Sequence, residues 1–265
     1  MQPTVGVVVP AYRPDPGRLR AYLRALRETV DPDELRVELD RPGETPESAT
    51  EPAAPELPEG VDCDVVRRRR GKGAAVTAGF EALSTDRLAF ADADGSTPAA
   101  EFARVVAALD DADLAVGSRR HPAATVVGHQ TLARRFLGDG FAWLARRLLS
   151  AELYDYQCGA KAVTADAWRR VRDHLYEPGF AWDVELIAMA GALDRRVAEV
   201  PIEWEDRPGS TVDPVGTAVD LGRALLRARG RARRLQVQDG RARGGTAGTE
   251  GTALVDRTQE GGHGG

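Results

Sequence analysis

Apolar residues fall along this chain in two rhythms. Short apolar or β-branched runs bounded by turn residues occur at Thr4–Pro10, Arg36–Asp40, Val61–Val66, from Leu88 into Asp92, at Asp113–Gly117 and at Arg196–Trp204. Such runs predict strands, most of them buried on both faces. Between them, apolar positions recur at helical spacing: Leu19, Leu23 and Leu26, the AAVTAGFEAL stretch after Gly73, Ala99–Leu109, Leu132–Leu149, Phe180–Leu193 and about 215–235. Strand–helix alternation predicts an α/β fold, a mostly parallel central sheet with helices on both faces.

Two stretches break the rhythm. Arg41–Gly60 holds five prolines and five glutamates, too polar to bury, and predicts a mobile loop. From residue 238 onward Gly, Arg and Thr dominate, which predicts a disordered tail over 238–265 behind a basic helix at 214–237 and a main domain at 1–213. The Leu132–Leu149 helix spans roughly 27 Å. Leu137, Phe141, Leu144 and Leu148 form one stripe and Leu132, Phe136 and Trp143 a second, with Arg135, Asp139 and Arg146 opposite. So wide an arc either touches two core partners or lies on a membrane surface.

The chemistry concentrates where strands end. In LAFADADGSTP the run stops at Asp92-Ala93-Asp94 and turns through Gly-Ser-Thr into a proline that opens a helix. Ligands of open α/β sheets sit beyond such carboxyl ends. Two carboxylates one residue apart repel unless a cation joins them, and Mg²⁺ commonly shares its shell with substrate phosphates; the alternative is a solvated turn. Arg67–Arg70 run into Gly71-Lys72-Gly73 at a helix start, which is a candidate anion site through backbone N–H groups and the ammonium; a solubilised loop is the plain alternative. YDYQCGAK brings Asp155, Gln157 and Lys161 together, and Asp183 and Glu185 stand near the start of the helix at 180–193.

Composition narrows the classes. The net charge is −5, but residues 216–265 carry nine basic against five acidic residues, leaving −9 for the remainder. That excludes a broadly basic nucleic-acid binder and leaves a cationic C-terminal segment suited to phosphate or a membrane surface. Only Lys72 and Lys161 are lysines among 36 basic residues. Two cysteines, no stretch approaching ~20 apolar residues and no signal-like start predict a cytoplasmic protein. The histidines at 121, 129, 174 and 263 have no metal-ligand spacing, and neither a Walker motif nor Gly-X-Gly-X-X-Gly follows the first strand.

In order, VVVPAY, RRRRGKGAAVTAGF, FADADGSTP, VGSRR, YDYQCGAKA, FAWDVEL and VPIEWEDRPGSTV resemble the inverting family-2 glycosyltransferases of the GT-A nucleotide-diphospho-sugar transferase fold. The likeness is to dolichyl-phosphate β-glucosyltransferases and related polyprenyl-phosphate glycosyltransferases, over about residues 4–213. The lysine-poor, acidic composition suggests a haloarchaeal member. The resemblance implies transfer of a hexose, glucose by preference, from a nucleotide sugar to dolichyl or polyprenyl phosphate at the cytosolic membrane face, with Mg²⁺ or Mn²⁺ as cofactor.

By the same resemblance Pro10, Ala11, Tyr12, Asp40, Gly71, Lys72, Gly73, Asp92 and Ala93 bind the nucleotide sugar, and Asp94 holds the metal. Arg119 with Arg134 or Arg135 receives the acceptor phosphate. Asp92, Asp94, Asp155, Gln157, Asp183 and Glu185 form the catalytic set. Where the family commonly has Asn-Glu after the tyrosine, Arg13-Pro14 intervene and the acid appears at Asp15, and Leu39-Asp40-Arg41-Pro42-Gly43 replaces its Asp-Asp-Gly-Ser turn. Both departures touch the base-recognition side, so the preference for UDP over GDP is weakly specified. A soluble phosphorylated acceptor is the alternative within the fold. A sugar-phosphate nucleotidyltransferase is disfavoured by the missing Gly-X-Gly-Thr-Arg loop, and a non-catalytic scaffold would bind no nucleotide.

Overall fold

The computed structural model describes residues 2–41, 57–127, 132–205, 214–240 and 252–261; the side chains of 132–137, 214–219, 238–240 and 258–261 are outside the described set. Most of the loop expected at 41–60 lies outside the described residues.

The strands are β1 (Val5–Tyr12), β2 (Glu34–Asp40), β3 (Asp62–Val66), β4 (Arg87–Ala91), β5 (Leu114–Ser118), β6 (Thr125–Val127), β7 (Ala160–Thr164), β8 (Val197–Pro201) and β9 (Glu203–Glu205). Seven of them form one sheet in the order β3-β2-β1-β4-β7-β5-β8, and β6 and β9 pair separately in parallel. Every pairing in the large sheet is parallel except those of β7, which runs antiparallel to β4 and β5. The sequence pattern does not announce β7, because a lysine interrupts its short apolar run.

The helices are α1 (Pro16–Val30), α2 (Lys72–Ala82), α3 (Ala99–Ala107), α4 (Leu132–Leu148), α5 (Ala165–Val171), α6 (Trp182–Ala192), α7 (Pro214–Gly240) and α8 (Leu254–Gly261). Asp15 caps α1 by accepting the Arg18 N–H at 2.8 Å, with Pro16 opening the first turn. On one face of the sheet, Leu19, Leu23 and Leu26 of α1 and Phe102 and Val105 of α3 pack over Val7, Val9 and Val37. The other face carries α2 and α4–α8, built around Val76, Phe80, Phe90, Trp168 and Trp182. Aromatic edges meet faces there: Phe80 lies 5.0 Å from Trp168 and Phe90 5.6 Å from Trp182, both T-shaped.

Three expectations change. The apolar spacing of 180–193 predicts an amphipathic helix with one polar face, but every residue from Trp182 to Ala190 in α6 is buried. A helix apolar all round belongs in the interior, and charges on it require partners. The wide arc of α4 divides: Ala142, Ala145 and Leu149 enter the core with Phe141 and Leu148 against it, while Trp143 and Leu144 are exposed. Lastly, the disordered tail gives way to order at its end. In α8, Leu254 and Val255 are buried, and the Leu254 N–H bonds the Leu175 carbonyl at 2.9 Å. A short apolar trio, Ala253 to Val255, among glycines and threonines is enough to dock when a core face already waits for it.

Candidate active site at the carboxyl edge

The register of β1 with β2 places Tyr12 beside Asp40 at the edge where β4 also ends. Beyond β4 the chain turns through Asp92–Ser96. Gly95 holds φ of 65°, a left-handed conformation that glycine adopts without strain. Asp94 accepts the Ser96 N–H at 2.9 Å, Ser96 offers its carbonyl to Glu205 of β9 at 2.9 Å, and the Asp92 N–H donates to the Gly159 carbonyl at 2.9 Å. A Cβ at Gly159 would overlap the Asp92 carboxylate, so this glycine sets how closely the YDYQCGAK segment approaches the acidic turn.

Lys72 joins that turn to α6. Its Nζ lies 3.0 Å from Asp92 and 2.9 Å from Asp183, and Asp183 also accepts from Lys161 Nζ at 2.6 Å. Burial alone depresses the Lys72 ammonium, but Asp183 and Asp92 outweigh it and hold its pKa above the ordinary lysine range. Desolvation in the cleft, with Asp94 and Asp183 nearby, pushes the Asp92 carboxyl up despite Lys72. Burial acts against ionised Asp183 too, yet Lys161 and Lys72 bring it below the usual carboxylate value.

The glycines around Lys72 serve packing. Gly71 has φ of 94°, and a Cβ there would meet the Pro178 carbonyl oxygen at 2.5 Å; one at Gly73 would meet the Glu177 carbonyl oxygen at 2.5 Å. The expected backbone anion cradle is partly occupied: the Ala74 N–H donates to Pro178 at 3.0 Å and the Gly71 N–H to Asp40 at 3.1 Å. What this helix start turns toward the acidic edge is the ammonium. Asp40, expected near the base, accepts Arg70 N at 2.6 Å and Arg70 Nε at 2.7 Å, so its buried carboxylate anchors the arginine loop. Glu38 and Asp64 complete the Arg70 site. Arg69 and Arg13 stack on the half-exposed Tyr12 ring, 4.4 and 5.4 Å from its centroid.

Arg119 follows β5. Its Nε and Nη2 engage Asp155 at 2.6 and 3.0 Å as a fork, and Asp155 also accepts Arg119 N and Gln157 N at 3.2 and 3.0 Å. Burial opposes ionised Asp155, but Arg119 wins and holds the carboxyl far below the usual range. The sign follows: ionised Asp155 contributes stability above the ordinary value of 3.8 and loses it only as pH falls through the depressed one. Trp204 of β9 stacks on the same guanidinium at 5.5 Å. The structure thus brings Pro10, Ala11 and Tyr12 to the end of β1, and places Asp92, Ala93, Asp94, Lys72 and Asp183 at one edge, with Gln157 next to the Arg119–Asp155 fork. The side chains of Arg134 and Arg135 lie outside the described residues.

Glu185 is not part of that edge. Two residues along a helix turn roughly 200°, so it leaves α6 opposite Asp183. Its carboxylate is buried, accepts the Tyr176 and Glu177 N–H groups at 2.7 and 2.8 Å, and pairs with Arg231 of α7. Burial raises its pKa in spite of those partners. Glu185→Ala, which leaves the Tyr176 and Glu177 N–H groups and Arg231 without their acceptor, is therefore expected to lower stability by about 1.5–3 kcal/mol, while kcat stays within about threefold. Urea denaturation beside steady-state rates checks this; an unshifted midpoint with a collapsed kcat would return Glu185 to the reacting centre.

Sequence reasoning passed over Phe90, Gly159 and Trp204 and gave Lys161 no role. One signal was available for Lys161: arginine fills 34 of the 36 basic positions, and both exceptions meet at Asp183. Among the described residues no three His, Cys, Asp or Glu side chains form a metal cage. Two hard carboxylates on one turn suit instead an open-shelled Mg²⁺ or Mn²⁺ that completes its shell from phosphate oxygens and water.

The profile of the glycosyl transferase family 2 matches residues 6–157. Glycosyltransferase AglD of Haloferax volcanii is 30% identical over 236 residues, 84% of this chain and 36% of that protein. The dolichyl-phosphate β-glucosyltransferase of Mus musculus is 32% identical over 166 residues, 60% of this chain and 51% of that one. The chain thus spans about half or less of the length of these relatives. Among solved structures, glucosyl-3-phosphoglycerate synthase of Mycobacterium tuberculosis, in complex with Mn²⁺, UDP-glucose and phosphoglyceric acid, superposes with a TM-score of 0.61 at 18% identity, covering 86% of this chain and 80% of that one. That likeness is one of fold.

Proposed function

This chain belongs to glycosyl transferase family 2, and from that membership we propose that it transfers a hexose, glucose by preference, from a nucleotide sugar, a UDP-sugar by preference, to dolichyl or polyprenyl phosphate with inversion at the anomeric carbon. The observation that carries the reading is the charge array Asp92–Lys72–Asp183 at the carboxyl edge of β4, next to Asp94 and within the same sheet edge as the Arg119–Asp155 fork. The names of the relatives, a dolichyl-phosphate β-glucosyltransferase among them, support the acceptor class.

A nucleoside diphosphate leaves as a concentrated anion, so the protein must supply positive charge where the bond breaks. Lys72 supplies a fixed ammonium. Asp94, with Asp92, would hold Mg²⁺ or Mn²⁺ against the diphosphate, and the bound ion would neutralise charge on the leaving group. A phosphate acceptor is already anionic and needs no strong base; it needs orientation. Asp155 commits two donors of Arg119 and Trp204 stacks on its plane, which fixes the guanidinium and leaves Nη1 outside the fork for the acceptor phosphate. Asp183 is spent on two lysines, so its role here is to orient Lys72.

No helix among the described residues is long and apolar enough to cross a membrane. For a lipid acceptor the protein binds the membrane surface peripherally through Trp143 and Leu144, with Arg147 stacked on the Trp143 ring and exposed Arg223, Arg233 and Arg234 of α7 adding charge. Co-sedimentation with vesicles of anionic phospholipid is expected to show binding that weakens with salt. Trp143→Ser with Leu144→Ser is expected to abolish it with nucleotide affinity and melting temperature intact, since both side chains are exposed. Undiminished vesicle binding by that variant would remove α4 from the membrane contact, and absence of binding by the parent protein would favour a soluble phosphorylated acceptor.

A further inference from the structure

Lys161 has no role in the mechanism as described, yet it is among the most buried charges of the protein, 1% exposed against 2% for Asp183. The antiparallel register of β7 sets it directly across from Phe90 of β4. Its Nζ donates to the Cys158 carbonyl at 2.7 Å and to Asp183 at 2.6 Å. Phe90 lies under both lysines, its centroid 4.9 Å from Lys72 Nζ and 5.7 Å from Lys161 Nζ. One buried carboxylate and one aromatic ring therefore hold two ammonium groups, and these are the chain's only two lysines.

Arginine would serve badly at either place. Its planar fork favours bidentate pairing with one carboxylate, whereas each position here asks a compact ammonium to reach two oxygen acceptors while resting on a ring. The charges alternate along the array: Lys161, Asp183, Lys72, Asp92. If Asp183 faced Lys72 alone, it would cancel the positive charge that a diphosphate must meet. Lys161 pays that cancellation instead. We propose that Lys161 is a positioning residue for the nucleoside diphosphate: it neutralises Asp183 from behind, so that Asp183 orients Lys72 without consuming its charge. Phe90 supplies the aromatic ring that lies beside both ammonium groups.

The inference rests on the proposed nucleotide-sugar site, and the test separates the two. Calorimetric titration with UDP, and in parallel with GDP, is run in Mg²⁺ on the full chain, on Lys161→Met and on Lys161→Met/Asp183→Asn. The single change leaves an uncompensated carboxylate beside Lys72. The double change removes the ammonium and the carboxylate charge together, so the array keeps its net charge. One charge at about 8 Å in an effective dielectric of about 20 amounts to a tenfold effect or more. Lys161→Met is therefore expected to weaken nucleoside diphosphate binding about tenfold, and the double variant to return within about threefold of the parent.

Equal binding by Lys161→Met and the parent overturns the proposal. So does a double variant as weak as the single, because the loss then comes from packing and not from charge. Should Lys161→Met fail to fold, Lys161→Gln takes its place in the same comparison: a loss of about tenfold that Lys161→Gln/Asp183→Asn restores supports the proposal, and parental affinity in Lys161→Gln contradicts it. Failure of the parent to bind either nucleotide overturns the nucleotide-sugar reading itself, and this inference with it.

Discussion

Asp94→Asn is expected to lower turnover at least about 100-fold, the cost of removing a main electrostatic stabiliser of the leaving group. The substitution is close to isosteric, and the amide oxygen still accepts the Ser96 N–H that Asp94 now accepts at 2.9 Å. The turn keeps its shape through the Gly159 carbonyl and the left-handed Gly95, neither of which involves the Asp94 side chain. What changes is one negative charge and the hardness of the donor. The parent is expected to lose activity in chelator and recover it with Mg²⁺ or Mn²⁺, whereas the variant recovers little. Transfer rates measured over a metal titration check this, and near-normal turnover of Asp94→Asn in chelator would end the assignment of Asp94 as a metal ligand.

Lys72→Ala ranks next. A charged hydrogen bond is worth about 1.5–3 kcal/mol, so nucleotide-sugar affinity is expected to fall by roughly ten- to a hundredfold. The protein should fold, because Asp183 keeps Lys161 and the half-exposed Asp92 can turn to water. Lys72→Arg is not expected to restore binding: the fork must satisfy Asp92 and Asp183 at once over the Phe90 ring, a geometry suited to a small tetrahedral donor. Calorimetry on both variants gives the answer, and unchanged affinity in Lys72→Ala would show that the ammonium serves only to hold α2 to α6.

Much of this arrangement was legible in the sequence, for identifiable reasons. Strands buried on both faces must be continuously apolar, which is why β1, β4 and β5 announce themselves. The acidic turn after β4 is equally plain, because carboxylates at a strand end stand out against its apolar run. The parts that stayed hidden depend on contacts between distant segments. β7 is short and carries Lys161 at its second position, a residue that reads as surface until the register sets it opposite Phe90. Asp183 and Glu185 look equivalent from spacing, but opposite sides of one fully buried helix give them different partners, lysines in one case and Arg231 with two backbone N–H groups in the other.

The glycines of Gly71-Lys72-Gly73 suggest phosphate binding from sequence, although in the fold they make room for the carbonyls of Glu177 and Pro178. No local pattern reveals that constraint, since the loop at 177–178 lies about a hundred residues away. The apolar trio of α8 is similarly silent until a core face is available to receive it.

The central claim is transfer to a lipid phosphate, and one measurement addresses it directly. The protein is incubated with Mg²⁺, polyprenyl phosphate in detergent or vesicles, and a panel of radiolabelled UDP- and GDP-hexoses, and the mixture is partitioned between water and organic solvent. The account predicts label in the organic phase for at least one donor, only when polyprenyl phosphate is present and not with Asp94→Asn. Label that stays in the aqueous phase whatever the donor, or that moves only onto a soluble phosphorylated acceptor, would contradict it.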